Sequence, residues 1–196
     1  MANIDWTFNR ADCDVAPERF SGLAAEGESR DLTLDGRIRL TGAAPQGAAI
    51  GAFVGYSEGK LTRCTSRVDI SFEGEDAVNT SVCLGGVAGY GLGAMLTECT
   101  NMGALTCGPI ANTGNGANSG FHQGGIIGYV KETTLTDCVN EGSLSAPSGR
   151  GGGILGVGVS GTATGCRNSG TVQDDVEGIF APNPGYKRMG GLAGGT

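Results

Sequence analysis

The stretch Gly85–Cys107, GGVAGYGLGAMLTECTNMGALTC, decides how this chain is read. It opens on a glycine pair, passes Val87, Ala88, Gly89 and Tyr90, and continues through Leu96-Thr97 to Cys99, Asn101, Gly103 and Leu105. The same order returns elsewhere. SGLAAEG from Ser21, GAFVGYS from Gly51, GGIIGYV from Gly124 and GGILGVG from Gly152 align with its start, and GGLAGGT from Gly190 begins a sixth copy. The spacing is uneven, which a constant core carrying inserts of variable length explains better than a fixed period.

The columns agree from copy to copy. Leu23-Ala24, Phe53-Val54, Ile126-Ile127 and Ile154-Leu155 stand where Val87-Ala88 stand, and Tyr56 and Tyr129 match Tyr90. Further on come a column of Leu32, Cys64, Cys99, Cys138 and Cys166, and one of Asn101, Asn140 and Asn168. Apolar columns follow at Ile38, Ile70, Leu105, Leu144 and Val172, then at Leu40, Phe72, Cys107 and Ala146, with Asp174 breaking the last. Two apolar columns two residues apart are the signature of a strand, and no copy holds a helical period of useful length. Each copy therefore predicts three short strands: the glycine-pair segment, the LTxC segment and a GxLxL-type segment. Three strands and three bends make one coil, so the expected fold is an all-β, right-handed parallel β-helix of about five coils plus a partial sixth. One coil cannot bury its own apolar face, whereas a stack can. Residues 1–20, with Ile4, Trp6 and Phe8 alternating onto one face, are expected to cap the first coil, and residues 21–196 form the repeat domain.

Composition supports a chain that turns often. The 38 glycines are roughly three times the usual share of about 7 %, without the every-third-residue period of collagen. Net charge is −7, which makes nucleic acid and anionic membranes poor partners, because their affinity rests on Lys/Arg contacts to phosphate. The longest apolar run, Ala48–Tyr56, is too short to span a bilayer. The N-terminal MANIDWTFNR has neither the basic region nor the apolar core of a signal peptide. The expectation is a cytoplasmic chain, or a mature fragment with an added start Met.

The pattern GG-[VIL]-x-GY…LTxC-x-N-x-G-x-[LV] resembles the GLUG repeat of bacterial surface and secreted proteins. The first copy departs from it with Leu32 in place of Cys, and the second with Ser66 and Val68 in place of Asn and Gly. The resemblance implies a module of a larger surface or secreted protein. Such repeats occur in adhesins and envelope proteins, including some proteases, where they are not the catalytic part.

Most residues that could carry chemistry have a structural reading. Zinc needs paired ligands within a loop, but the column cysteines Cys64, Cys99, Cys138 and Cys166 come one per copy, so they read as a ladder of buried thiols. Cys13, Cys83 and Cys107 lie outside it, with a Cys83–Cys107 bridge left open. Asn101, Asn140 and Asn168 read as a stacked amide ladder. The threonine column (Thr62, Thr97, Thr136, Thr164) has one rank where ice-binding arrays use two. The charged column Asp31, Arg63, Glu98, Asp137 stacks two carboxylates, Glu98 and Asp137, which leaves a bound cation or a sugar-cleaving acid pair as alternatives to a solvated edge. His122, the single histidine, has no legible triad partners. The glycine strings lack the GK[ST] of a phosphate loop.

Function then falls to what is not repeated. Inserts at 74–84, 108–123 and 173–189 lengthen three copies, and such insertions carry binding in repeat proteins. Phe121, His122, Phe180, Tyr186 and Arg188 are the candidate contacts for a protein or glycan. No catalytic residue, metal or cofactor is assigned. The expected function is a non-catalytic structural or binding, adhesin-like module at the cell surface or secreted. The alternatives are a filament subunit that joins to itself through the solenoid ends, and a polysaccharide-acting β-helix enzyme.

Overall fold

The computed structural model describes residues 2–9, 19–20, 27–41, 48–73, 82–107, 121–145, 150–173 and 188–195. Among these the chain is all-β with no helix, and the strands form three sheets in which every pairing is parallel. Sheet A holds Ala2–Asn9, Thr33–Thr41 and Thr65–Glu73, then the split strands Thr100–Asn101 with Leu105–Cys107, Val139–Asn140 with Leu144–Ser145, and Arg167–Asn168 with Val172–Gln173. Sheet B holds Arg19–Phe20, Ala49–Gly51, Val82–Gly85, Phe121–Gly124, Arg150–Gly152 and Arg188–Gly190. Sheet C runs from Glu28–Arg30 through Val54–Ser57 with Lys60–Thr62 and Ala88–Leu92 with Met95–Thr97 to Ile127–Thr136, Leu155–Thr164 and Ala193–Gly195.

Consecutive copies pair in register, so the sequence columns are physical ladders. Ile38, Ile70, Leu105, Leu144 and Val172 are successive partners in sheet A. Leu61, Leu96 and Leu135 do the same in sheet C, and Ile50 and Leu84 in sheet B. All but the half-buried Val172 lie in one core with Phe53, Val87, Ile126 and Ile154 from the bends between sheets B and C. Each such Leu or Ile contributes about 1.5–3 kcal/mol by leaving water.

One expectation is corrected. The glycine pair is a bend rather than a strand, with Gly86-Val87 between the sheet B strand Val82–Gly85 and the sheet C strand Ala88–Leu92. The cause is steric: a Cβ on Gly85 would lie 1.9 Å from the carbonyl oxygen of Ala88, a contact only a sharp turn creates. The segment and Leu96-Thr97 belong to one sheet, and the third strand comes from residues just before the glycine pair, so the inserts end earlier than 84, 123 and 189. The N-terminal stretch supplies an edge strand beside the first copy. Ala2–Asn9 pairs along its whole length with Thr33–Thr41, placing Trp6 beside Ile38 and Phe8 beside Leu40.

The corner between sheets C and A has its own rule. Asp31, Arg63, Glu98 and Asp137 all have φ between 52° and 56°, and Gly165 has φ 66°. This left-handed bend costs a residue with a Cβ roughly 1–2 kcal/mol. It recurs because each amide at the corner donates onward to the neighbouring copy, as Arg63 N to Thr97 O at 2.9 Å and Glu98 N to Thr136 O at 2.9 Å.

Candidate functional site

The asparagine column is a continuous buried chain of amides. Asn101 Nδ2 donates to Gly103 O and to Asn140 Oδ1, and Asn140 Nδ2 donates to Gly142 O and to Asn168 Oδ1. The second glycine of each pair makes room for it, since a Cβ on Gly86, Gly125 or Gly153 would lie 2.3 Å from Cγ of Asn101, Asn140 or Asn168. In the second copy both partners change together: Ala52 stands in the glycine slot and the shorter Ser66 in the asparagine slot.

The thiol column is closed to chemistry for the same reason. Cys64, Cys99 and Cys138 are fully buried and free, and Cys166 is half-buried. Cys99 Sγ reaches Leu61 O at 3.4 Å, and Cys138 Sγ reaches Leu96 O at 3.5 Å, so each thiol ties one copy to the previous one. The neighbouring Cys99 thiol brings Cys64 down to about 7. Cys138 in turn favours the Cys99 thiolate, yet donation to Cys64 and burial prevail and hold Cys99 up at about 12. Leu32 keeps the register of this column, yet it is 37 % exposed and does not share the core. Cys83 and Cys107 are buried and in no disulfide, and Cys13 lies outside the described residues.

No group of three or more His, Cys, Asp or Glu among the described residues could hold a metal ion. Glu98 and Asp137 do share the left-handed corner column, and the Asp137 carboxylate leans over Gly165, where a Cβ would meet its Oδ1 at 1.9 Å. Below them Arg63 forms a two-point bond to Asp31, at 2.6 and 2.9 Å, across an exposed pair. No described helix is long and apolar enough to cross a membrane.

The departures from the repeat gather on sheet B. The variable segments 42–47, 74–81, 108–120, 146–149 and 174–187 each link a sheet A strand to the next sheet B strand. Phe180 and Tyr186 fall in the last and lie outside the described residues, whereas Phe121 and His122 open the strand Phe121–Gly124 and Arg188 opens Arg188–Gly190. Register places Cys83, His122, Arg150 and Arg188 in one column. Beside it the half-buried rings of Tyr56, Tyr90 and Tyr129 stack at 5.0 and 4.8 Å with interplanar angles of 10° and 12°, and the His122 ring lies 5.7 Å from Tyr129 at 50°.

The chain matches no protein-family model, no curated protein and no solved structure. The reading of the site rests on its own chemistry.

That chemistry is neutral. Cys83 and His122 are cross-strand neighbours, a juxtaposition the sequence conceals. Burial pushes the Cys83 thiol up to about 12, and burial and then the Arg150 charge push His122 down to about 4. A reactive thiolate–imidazolium pair requires both shifts reversed. The same strand also breaks the rule that buried polar atoms are paired. His122 Nδ1 and both amide atoms of the fully buried Gln123 have no partner. Gln123 follows Ile50 and Leu84 in an otherwise apolar ladder and faces Gly151 in the next copy. Sequence reading reached His122 but missed Cys83, Gln123 and Arg150 as its companions, because the strand before the glycine pair carries no repeated pattern. The signal that was available is Gln123 itself, the one amide in a column of Ile and Leu.

Proposed function

We propose that this chain is a right-handed parallel β-helix serving as a non-catalytic binding module of a bacterial surface or secreted protein, with its ligand held at the outer side of sheet B. The repeat columns are consumed by packing: the asparagines bond to asparagines, the thiols to carbonyls of the previous copy, and the glycines to spaces that admit no Cβ. The observation that carries the binding role is that every variable segment connects a sheet A strand to a sheet B strand, and sheet B holds the strand with unpaired polar atoms, whose His122 ring lies against Tyr129. Local rules broken within an otherwise consistent fold mark functional positions. The GLUG-like pattern is in keeping with a surface module. The test is a glycan and protein array probed with the wild type and with a variant whose residues 108–120 are replaced by the short connection Ala146-Pro147-Ser148-Gly149. Binding lost in a variant with unchanged β circular dichroism supports the reading; turnover of a polysaccharide by the wild type sinks it.

A second reading, assembly with further copies, draws on one observation. Around the fifth and sixth copies the described surface exposes Leu192 at 55 % and Val159 at 63 %, the latter in an open recess lined also by Val130, Leu155 and Ala163. Sedimentation velocity across a wide concentration range decides it: a constant monomer excludes it.

A further inference from the structure

We propose that the sheet B column of His122, Arg150 and Arg188, flanked by Tyr129, is a subsite for the acidic group of a polysaccharide, a carboxylate or a sulfate ester. The inference rests on the binding-module reading and gives it a ligand class.

Three observations converge. The first is charge. In a chain of net charge −7, register sets Arg150 directly beside Arg188 and His122 beside Arg150, on strands roughly 4.8 Å apart. Several described arginines are paired instead: Arg39 makes a two-point bond to Glu73, Arg63 a two-point bond to Asp31, and Arg30 bonds to Glu28. No described carboxylate lies within ion-pair distance of Arg150. A guanidinium without a carboxylate partner suits an anion that accepts its forked hydrogen bonds, and register adds a second arginine, Arg188, to the same column.

The second is the orphan imidazole. His122 is only 6 % exposed and its Nδ1 has no partner, a loss that a bound polar group recovers. Its neutrality follows from burial and from the Arg150 charge. An anion opposite Arg150 offsets the second cause and draws the imidazole back toward protonation.

The third is the tyrosine stack. Each ring face inside it is covered by the next ring, but the stack ends at Tyr129, whose register partner in the next copy is Val157. Among the described residues no ring stacks on that last face, and the copy that follows is the one that carries Arg150. An aromatic face beside an arginine pair suits a sugar ring bearing an acidic substituent better than a bare inorganic anion, because the apolar side of the sugar packs on the ring.

The experiment is affinity electrophoresis of the full chain in gels containing polygalacturonate, dextran sulfate or neutral dextran, at low and moderate salt. The wild type is retarded by at least one of the two polyanions and not by dextran; polygalacturonate alone assigns a carboxylate, dextran sulfate alone a sulfate. The double variant R150E/R188E loses at least tenfold in affinity, whereas R30E/R167E, equal in charge but off the column, loses less than threefold. NMR titration of the His122 ring shows its pKa rising when the polyanion is added. Equal losses in the two double variants overturn the subsite in favour of diffuse attraction, and so does no retardation by either polyanion. If arrays still find a neutral glycan or a protein, the subsite fails and the binding module stands; arrays empty of any ligand sink both.

Discussion

Asn101 donates its side-chain amide to the side-chain oxygen of Asn140 at 2.9 Å, across the gap between two copies that lie 39 residues apart in sequence. The bond is fully buried, and Asn140 repeats it toward Asn168 at 2.8 Å. Truncating the middle member therefore removes a bond to each neighbour, Asn101 and Asn168, and the bond to the Gly142 carbonyl within its own copy. Asn140→Ala is expected to cost about 2–4 kcal/mol, at the level of two or three buried hydrogen bonds, read as a lower urea midpoint with an unchanged slope.

Ser66 and Ala52 occupy the slots held by asparagine and glycine in the later copies. Ser66→Asn alone drives an amide into the Ala52 methyl and destabilises the chain. Ser66→Asn with Ala52→Gly opens the slot and lets the new amide reach Asn101. The double variant is expected to be more stable than the single one by at least 1 kcal/mol, a coupling that a double-mutant cycle measures. Additive changes refute the steric pairing of the two columns.

His122 gives the chain a pH dependence of known sign. Its folded value, about 4, lies below the ordinary value of 6.5. Between those values the unfolded chain takes up a proton that the folded chain refuses, so stability falls as pH drops from about 6.5 to 4 and the loss levels off below the folded value. The span corresponds to roughly 3 kcal/mol. His122→Phe, which keeps an aromatic ring beside Tyr129, is expected to remove that part of the pH dependence in chemical denaturation between pH 7 and 4.

The thiols predict their own accessibility. Cys64 is the most acidic of the ladder, at about 7, but it is fully buried, and a thiolate that reagents cannot reach does not react. In a Cys13→Ser background, Ellman's reagent is expected to find one slow thiol in the folded chain, the half-buried Cys166, whose hydrogen bond with Cys138 pushes its pKa up, and six in denaturant. Rapid labelling of Cys64 at pH 7 contradicts the described packing.

Gln123 leaves both its amide atoms unpaired inside an apolar ladder. Gln123→Leu continues the Ile50–Leu84 column and is expected to stabilise the chain by about 1–3 kcal/mol in thermal or urea unfolding. A loss of stability instead means that the amide has a partner in solution, and a buried water found in a crystal structure identifies it.

Much of this fold was legible in the chain itself. Ile38, Ile70, Leu105, Leu144 and Val172 aligned as a column and are register partners. The asparagine column aligned and is a hydrogen-bonded ladder. Equivalent residues of parallel stacked strands face the same environment, so each copy repeats the same demand and the alignment displays it. All-β character with parallel pairing follows from that alone.

What the sequence could not display is whatever does not repeat. Sheet B is built from Ala49-Ile50, Val82-Cys83-Leu84, Phe121-His122-Gln123 and Arg150-Gly151, strands fixed by neighbouring backbones rather than by a shared side-chain pattern, and the second and third of them read as parts of inserts. The left-handed corner explains Asp31, Arg63, Glu98 and Asp137 only once their φ angles are known. Cys83, His122 and Arg150 are far apart along the chain and meet because parallel stacking sets residues of successive copies one strand spacing apart. The sequence determined the ladder; the tertiary structure decided which irregular residues the ladder brings together.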